Sequence, residues 1–457
     1  MKEELILFFS DINFILIFLL FFIPIYAYVP SNVKRFVLLI GGLLFYGLND
    51  ILTLPVIIAD ILIAFFVAKA MDHYIDKPRL RSSLLWGAIT LQIILMCAPL
   101  FIRGHIFIGI GFFTVMFIGY YSDVYRGNHP AATDFITFAN YIMFFPKILQ
   151  GPITSYMDME KSLQEPEQIN PAKLEKGLRI FILGMSYKII LADPLASLWN
   201  GVQTIGFQSV STVLAWISMY SYSIQLYLDF QGYSLMAVGV AFMLGYELPQ
   251  NFNSPYMSRS ISEFYRRWHM TLGEWFKKYV YFPLGGSRNG RFKTILSLSA
   301  VWILTGLWHG FTLNYMIWAG MLLLFIILEK TLFAKIVKSK NWFAKLIGHV
   351  FVIFYIPLTW MAFAISDPER IMIFYTRLYD LQNIFRPINV NSLDYVSYVK
   401  DYWPFLFGGL ICCFPIMETF LVKTRVKMTR FISFALFWVC IYLIMKNGNN
   451  PFMYLNF

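Results

Sequence analysis

Apolar runs long enough to cross a bilayer recur from one end of the chain to the other, with short polar interruptions between them. A hydrocarbon core of about 30 Å takes roughly 17 to 25 helical residues, so the pattern predicts a polytopic helical membrane protein with about eleven membrane helices. Residues 1–30 read as a retained first helix, because the stretch carries neither a basic leader nor a small-residue cleavage site. Lys34 and Arg35 open an apolar region that Asn49, Asp50 and Pro55 divide into helices at 36–47 and 52–70, the first too short to span fully. Spans are expected next at 84–102 and 106–121. In FITFANYIMFFPKILQGPITSY, Pro146, Lys147, Gln150, Gly151 and Pro152 interrupt an apolar helix. Either a broken helix lies beside a cavity there, or the helix simply ends. Residues 155–177 form a polar loop, in which Asn170 and Pro171 read as the cap and first turn of a helix.

Residues 178–195 carry Lys188 and Asp193, with Gly184 and Ser186 permitting close helix approach. Residues 216–244 carry Gln225, Asp229 and Gln231. An ionisable group within a span faces protein or an aqueous cavity, so Asp229 is a cavity or network residue, with a structural hydrogen-bonding role equally open. Helices at 346–365, 405–420 and 431–445 complete the spans; the basic loop 423–430 is placed on the cytoplasmic side. The aromatic tail 447–457 is expected to pack on the bundle or anchor at the interface.

Composition agrees with a membrane protein: 58% of the 457 residues are hydrophobic and 14% charged, outside the range of soluble domains. The net charge of +11 is read as cytoplasmic loops and headgroup contacts, with no nucleic-acid partner. Cys97, Cys412, Cys413 and Cys440 lie in apolar runs without metal-ligand spacing and read as packing residues. His73, His105 and His129 sit at span ends as interfacial residues, and His349 reads as structural.

Residues 251–310 hold the remaining chemistry. Ser260-Ile-Ser-Glu263 has the capping-box pattern that starts a helix at Ile261. Phe264, Trp268, Leu272, Trp275 and Tyr279 then form the apolar stripe of one basic helix lying in the cytoplasmic interface. His269 belongs to that helix, as an interfacial histidine among aromatics or as a functional one. The GGSRNGR turn suits either a phosphate-bearing ligand or solvent. From Thr294, His309 lies about 22 Å along a helix, and 314–328 returns to Glu329 and Lys330, which makes a paired excursion with His309 near its tip. A membrane-depth imidazole, kept neutral by desolvation, suits activation of an alcohol for acyl transfer; satisfying a buried carbonyl is the alternative.

The ordered series DFQGY, NFNSPY, EFYRRWH, YVYFPLGG and GLWHG resembles the membrane-bound O-acyltransferase family, in its bacterial branch of alginate and peptidoglycan O-acetylation membrane subunits. The resemblance runs from FFPKILQGPI through the WHG motif, and more loosely over nearly the whole chain. It implies an all-α polytopic bundle with interfacial and re-entrant helices, a single integral domain over 1–457 centred on 225–310. By the WHG motif His309 takes the catalytic role, and by RRWH His269 takes the second histidine position; Asp229, Asn253, Tyr256, Arg267 and Trp308 match surrounding motif positions. The family further implies acetyl-CoA or another cytoplasmic acyl thioester as donor, with no bound cofactor or metal. It implies an extracytoplasmic polysaccharide acceptor, a separate SGNH/esterase-like acetyltransferase partner, and a place in the cell inner (plasma) membrane. Gln231, Tyr265 and Gly273 depart from the family pattern, where serine, tryptophan and serine are common. D-alanyl transfer to teichoic acid from a carrier protein stays open, as does a transporter or flippase using Asp229 and the broken helices as a substrate path.

Overall fold

Backbone amides within a bilayer must find partners within the protein, and the chain answers with helices. The computed structural model describes residues 9–102, 107–380, 391–424 and 427–447, and among these residues there is no strand. In order, the helices are α1 (Phe14–Tyr28), α2 (Ser31–Asn49), α3 (Leu54–His73), α4 (Pro78–Cys97), α5 (Ile110–Tyr125), α6 (Phe135–Met143) and α7 (Tyr156–Gln164). There follow α8 (Pro171–Ile205), α9 (Thr212–Met243), α10 (Ile261–Tyr265), α11 (Met270–Phe276), α12 (Gly290–His309) and α13 (Leu313–Lys330). The last are α14 (Trp342–Ala364), α15 (Pro368–Leu378), α16 (Asp394–Cys412), α17 (Ile416–Val422) and α18 (Lys427–Asn447). His105 and tail residues 448–457 lie outside the described residues.

The protein is a multi-pass membrane protein. Among the described residues eight helices are long and apolar enough to cross a membrane, or nine if α16 and α17, bent by 74°, form one span. That is fewer than the eleven or so expected, in part because α5 has only 16 residues. Another expectation is corrected in the opposite direction. Helix α2 starts at Ser31 and has 19 residues, enough to span, because Lys34 and Arg35 lie inside it. The Lys34 ammonium sits 5.4 Å from the centre of the Tyr26 ring, and Arg35 pairs with Asp134 at 3.2 Å. Nor is 155–177 simply a loop, since it holds α7; Asn170 does cap α8, accepting from the Lys173 amide at 2.9 Å.

Contacts divide the chain into two units. The first comprises residues 1–182 and 233–250. Within it α6 stops at Met143, a single tight turn spans Phe145–Lys147, and the irregular backbone that follows is buried in protein. Lys147 is 1% exposed; its ammonium donates to Thr154 Oγ1 at 3.0 Å and lies 3.8 Å from the Tyr141 ring centre. Burial pushes its pKa well down, partly opposed by the charge of Asp158.

The second unit comprises residues 183–232 and 251–457. Here α8 and α9 cross where Gly184 and Gly232 meet; a Cβ on Gly232 would lie 2.8 Å from the Gly184 carbonyl oxygen. Beside that crossing α8 widens to a π-helix over Ser186–Ala192, and Lys188 pairs with both Asp229 and Asp193 at 2.8 Å. Helices α12 and α13 form a hairpin, and α14 packs on α13. His349 on α14 bonds the Ser258 carbonyl at 3.0 Å, a structural contact.

Removing one member of a buried ion cluster strands the others. Lys188→Ala is therefore expected to lower stability by about 3–5 kcal/mol, whereas Lys173→Ala, which breaks the more exposed pair with Glu167, costs about 0–1 kcal/mol. Thermal unfolding of the purified variants in detergent checks the contrast.

Candidate functional site

The stretch 261–281 does not form the one helix its apolar stripe suggests. Ser260 does cap the start, its Oγ accepting from the Glu263 amide at 3.0 Å. Glu263 turns away from the reciprocal capping bond: its carboxylate accepts from the Arg259 amide at 3.0 Å and from Arg267 at 2.9 Å. Helix α10 ends at Tyr265, and His269 adopts the left-handed conformation (φ 44°, ψ 54°) before α11 resumes at Met270. The cause is competition for backbone groups. The Arg267 carbonyl accepts from the Asn253 amide at 3.0 Å, and the Met270 amide donates to the Asn251 carbonyl at 2.8 Å. In a continuous helix those same groups would bond four residues along their own chain. Thr271 Oγ1 secures the clip by donating to Asn251 Oδ1 at 2.6 Å. The stripe survives in part: Phe264, Trp268 and Leu272 are buried, but Phe276 takes the buried place next to half-exposed Trp275.

Placed this way, His269 is buried, with Phe230 edge-on at 4.8 Å and Trp308 at 6.2 Å between ring centres. It lies outside the spanning helices, and its pKa is pushed from the ordinary 6.5 down to about 3, chiefly by burial and then by the nearby His309.

His309 is the last residue of α12, at the tip of the α12–α13 hairpin as the periodicity suggested. Gly310 follows at φ 153°, and a Cβ there would come within 2.8 Å of the Tyr315 ring, so only glycine fits the turn. The imidazole is boxed edge-on by Trp318 at 5.2 Å and Phe363 at 5.1 Å, with Trp308 at 4.9 Å.

Both histidines line one cavity of about 330 Å³, walled on one side by Tyr265, Leu272, Gly273 and Phe276 and on the other by Leu298, Trp302, Thr305 and Trp318. Arg266, Lys277 and Lys330 belong to the same lining and are exposed, whereas the lining contains no carboxylate. The volume suits a small ligand or the reactive end of a larger one. Arg288, Arg291 and Lys293 of the GGSRNGR region are exposed and lie outside this lining.

The other residues singled out in the sequence support the site from behind. Trp308 touches both histidine rings. Arg267 donates to the Asn253 carbonyl at 3.3 Å and pairs with Glu263, so Asn253 and Arg267 belong to the clip. The Tyr256 hydroxyl donates to the Ser223 carbonyl at 2.9 Å and meets Ser223 Oγ at 2.7 Å, which fastens the same loop to α9. Asp229 belongs to the Lys188 cluster and does not line the cavity. Sequence reasoning passed over Glu329 as a mere helix end. Its buried carboxylate accepts from the amides of Ile261 and Ser262 and from Ser262 Oγ at 2.7 Å, joining α13 to the start of α10. It also passed over Trp302 and Trp318, ordinary apolar positions until the hairpin closes around them.

Residues 126–366, more than half of the chain, match the model of the membrane-bound O-acyltransferase family. The chain belongs to that family. It is 32% identical over 324 residues to a Pseudomonas fluorescens protein named "Probable alginate O-acetylase AlgI", covering 68% of this chain and 63% of the relative. It is 29% identical over 343 residues to the peptidoglycan O-acetyltransferase of Helicobacter pylori (strain ATCC 700392 / 26695), covering 65% and 64%. A teichoic acid D-alanyltransferase of Bacillus subtilis (strain 168) is 32% identical over 189 residues, 39% of this chain and 47% of that one. The chain thus spans less than two thirds of the length of these curated relatives.

Two outcomes follow from the geometry at His269. A left-handed residue with a Cβ is strained by about 1–2 kcal/mol, so His269→Gly is expected to unfold at higher temperature than His269→Ala; the reverse order in detergent melting would exclude the left-handed turn. The depressed His269 pKa means that the unfolded chain takes up a proton near pH 6.5 while the folded chain does not until about pH 3. Its contribution is therefore complete above pH 6.5 and lost as pH falls, at up to about 1.4 kcal/mol per pH unit. Between pH 6.5 and 5, His269→Gln is expected to lose less stability than the wild type in chemical denaturation.

Proposed function

We propose that this chain is a membrane O-acyltransferase that moves acetyl from a thioester donor toward an envelope polysaccharide, with His309 as general base. The observation that carries the proposal is the meeting of His269 and His309, from separate segments, in one cavity that also holds three exposed cations and no carboxylate. An acceptor hydroxyl at the histidine end gives its proton to the His309 imidazole as its oxygen attacks the thioester carbonyl. The C–S bond breaks, the acetyl ester forms, and the departing thiolate takes the proton back. Burial among the Trp318 and Phe363 rings favours the neutral, basic form of the imidazole. His269, held edge-on by Phe230 and beside Trp308, shapes the donor's approach.

The donor is acetyl-CoA or a related acyl thioester arriving from the cytoplasmic side, where basic flanks collect, and the protein sits in the cell inner (plasma) membrane. The names of the alginate and peptidoglycan relatives favour acetyl as the acyl group and polysaccharide as the acceptor. An extracytoplasmic SGNH/esterase-like partner completes the transfer, or the polysaccharide receives the acetyl directly.

Ester-linked acetate on envelope polysaccharides, compared between cells with wild-type protein, His309→Ala or no protein at equal abundance, tests the reading. His309→Ala is expected to fall to the deletion level, a loss of at least about 10²-fold. Full acetylation with His309→Ala would overturn the base assignment and favour a transporter, while loss of D-alanyl esters from teichoic acid would reassign the acyl group.

A further inference from the structure

On the wall of the cavity formed by α11, the lining residues His269, Gly273 and Lys277 follow one another at helical spacing, one turn apart. Gly273 thus lies midway between the histidine end and a cation. Nothing in the backbone requires a glycine there. Its φ is not positive, it closes an ordinary helical bond from its amide to the His269 carbonyl at 3.0 Å, and it sits inside α11, where glycine is a poor helix former. Nor does packing require it: an added Cβ would meet only the Tyr265 carbonyl oxygen, at 3.7 Å, an ordinary contact. The opposite wall is bulky, with Trp302 held edge-on against Tyr265 at 4.8 Å. What the missing side chain leaves is open space on the cavity wall, where Gly273 is exposed.

Resting on the acyltransferase reading above, we propose that Gly273 is a donor-binding residue: its bare position is the gap through which the linear pantetheine-type arm of a thioester donor runs from the cations to the histidines. A larger side chain narrows that gap. Because the arm passes there, and not the acyl group, the penalty falls equally on donors of different acyl length.

Alanine and leucine are better helix formers than glycine, so a size series separates width from folding. With full-length protein in nanodiscs, Gly273→Ala is expected to keep KM for acetyl-CoA within about twofold, and Gly273→Leu to raise it by at least tenfold. The same factor is expected with butyryl-CoA. An unchanged KM in Gly273→Leu, or a factor that differs between the two donors, overturns the proposal.

A second readout needs no turnover. Alkylation of Gly273→Cys by N-ethylmaleimide is expected to slow at least fivefold with S-ethyl-CoA, a thioether without a transferable acyl group, or with a carrier protein bearing S-ethyl-pantetheine. Whichever probe protects identifies the source of the arm. Glu274→Cys, on the neighbouring side chain that is 72% exposed and outside the lining, is expected to react at the same rate throughout. Failure of both probes to protect Cys at 273, or equal protection at 274, overturns the proposal. Protection at 273 together with full acetylation by His309→Ala would leave the arm path standing and remove the base role of His309. Absence of protection together with an inactive His309→Ala would do the opposite.

Discussion

The site depends on two backbone hydrogen bonds. Asn253 to Arg267 and Met270 to Asn251 take amides and carbonyls that helix α10 would otherwise use to continue into α11. Losing those helical bonds costs little only because the replacements are equally good, and a buried unpaired amide costs more than a lost bond contributes. The helix therefore stops, His269 takes a left-handed turn, and α11 leaves in a new direction with Gly273 and Lys277 on the cavity side. Had the helix run on, His269 would have followed a different helical face. Asn253, Arg267 and Tyr256 are best understood as parts of this clip and its attachment to α9.

Charge is placed with the same economy. In the second unit, buried Lys188 and Asp229 cluster with part-buried Asp193 beside the α8–α9 crossing, where each has an opposite charge within 2.8 Å. One residue along α9 from Asp229, Phe230 presents its edge to His269. The ion cluster thus fixes the helix whose apolar face contacts the histidine, while the cavity itself is lined by aromatics, two imidazoles and exposed cations. A carboxylate among those rings would stabilise imidazolium and remove the base. The buried carboxylate of Glu329 on α13 is instead occupied by the amides of Ile261 and Ser262 and the Ser262 hydroxyl.

Much of this was legible in the chain itself. Apolar run length determined the polytopic helical class, and the spacing from Thr294 to His309 and back to Lys330 determined the hairpin with His309 at its tip. Ser260 announced the start of α10, and Gly184 announced a close helix crossing. These are local properties: a cap, a period and a small residue act within a few positions of themselves. The ordered motifs identified the family.

What only the tertiary structure decided is where local preference lost to a distant partner. The apolar stripe from Phe264 to Tyr279 reads as one helix because periodicity says nothing of Asn251 and Asn253, which sit before it and take its hydrogen bonds. Lys34 reads as a helix boundary because its shelter over Tyr26 is made by another segment. Asp229 reads equally as a cavity or a structural residue until Lys188 is seen beside it. A hydrogen bond or an ion pair needs two ends, and the sequence names the residue types at each end without saying which ends meet.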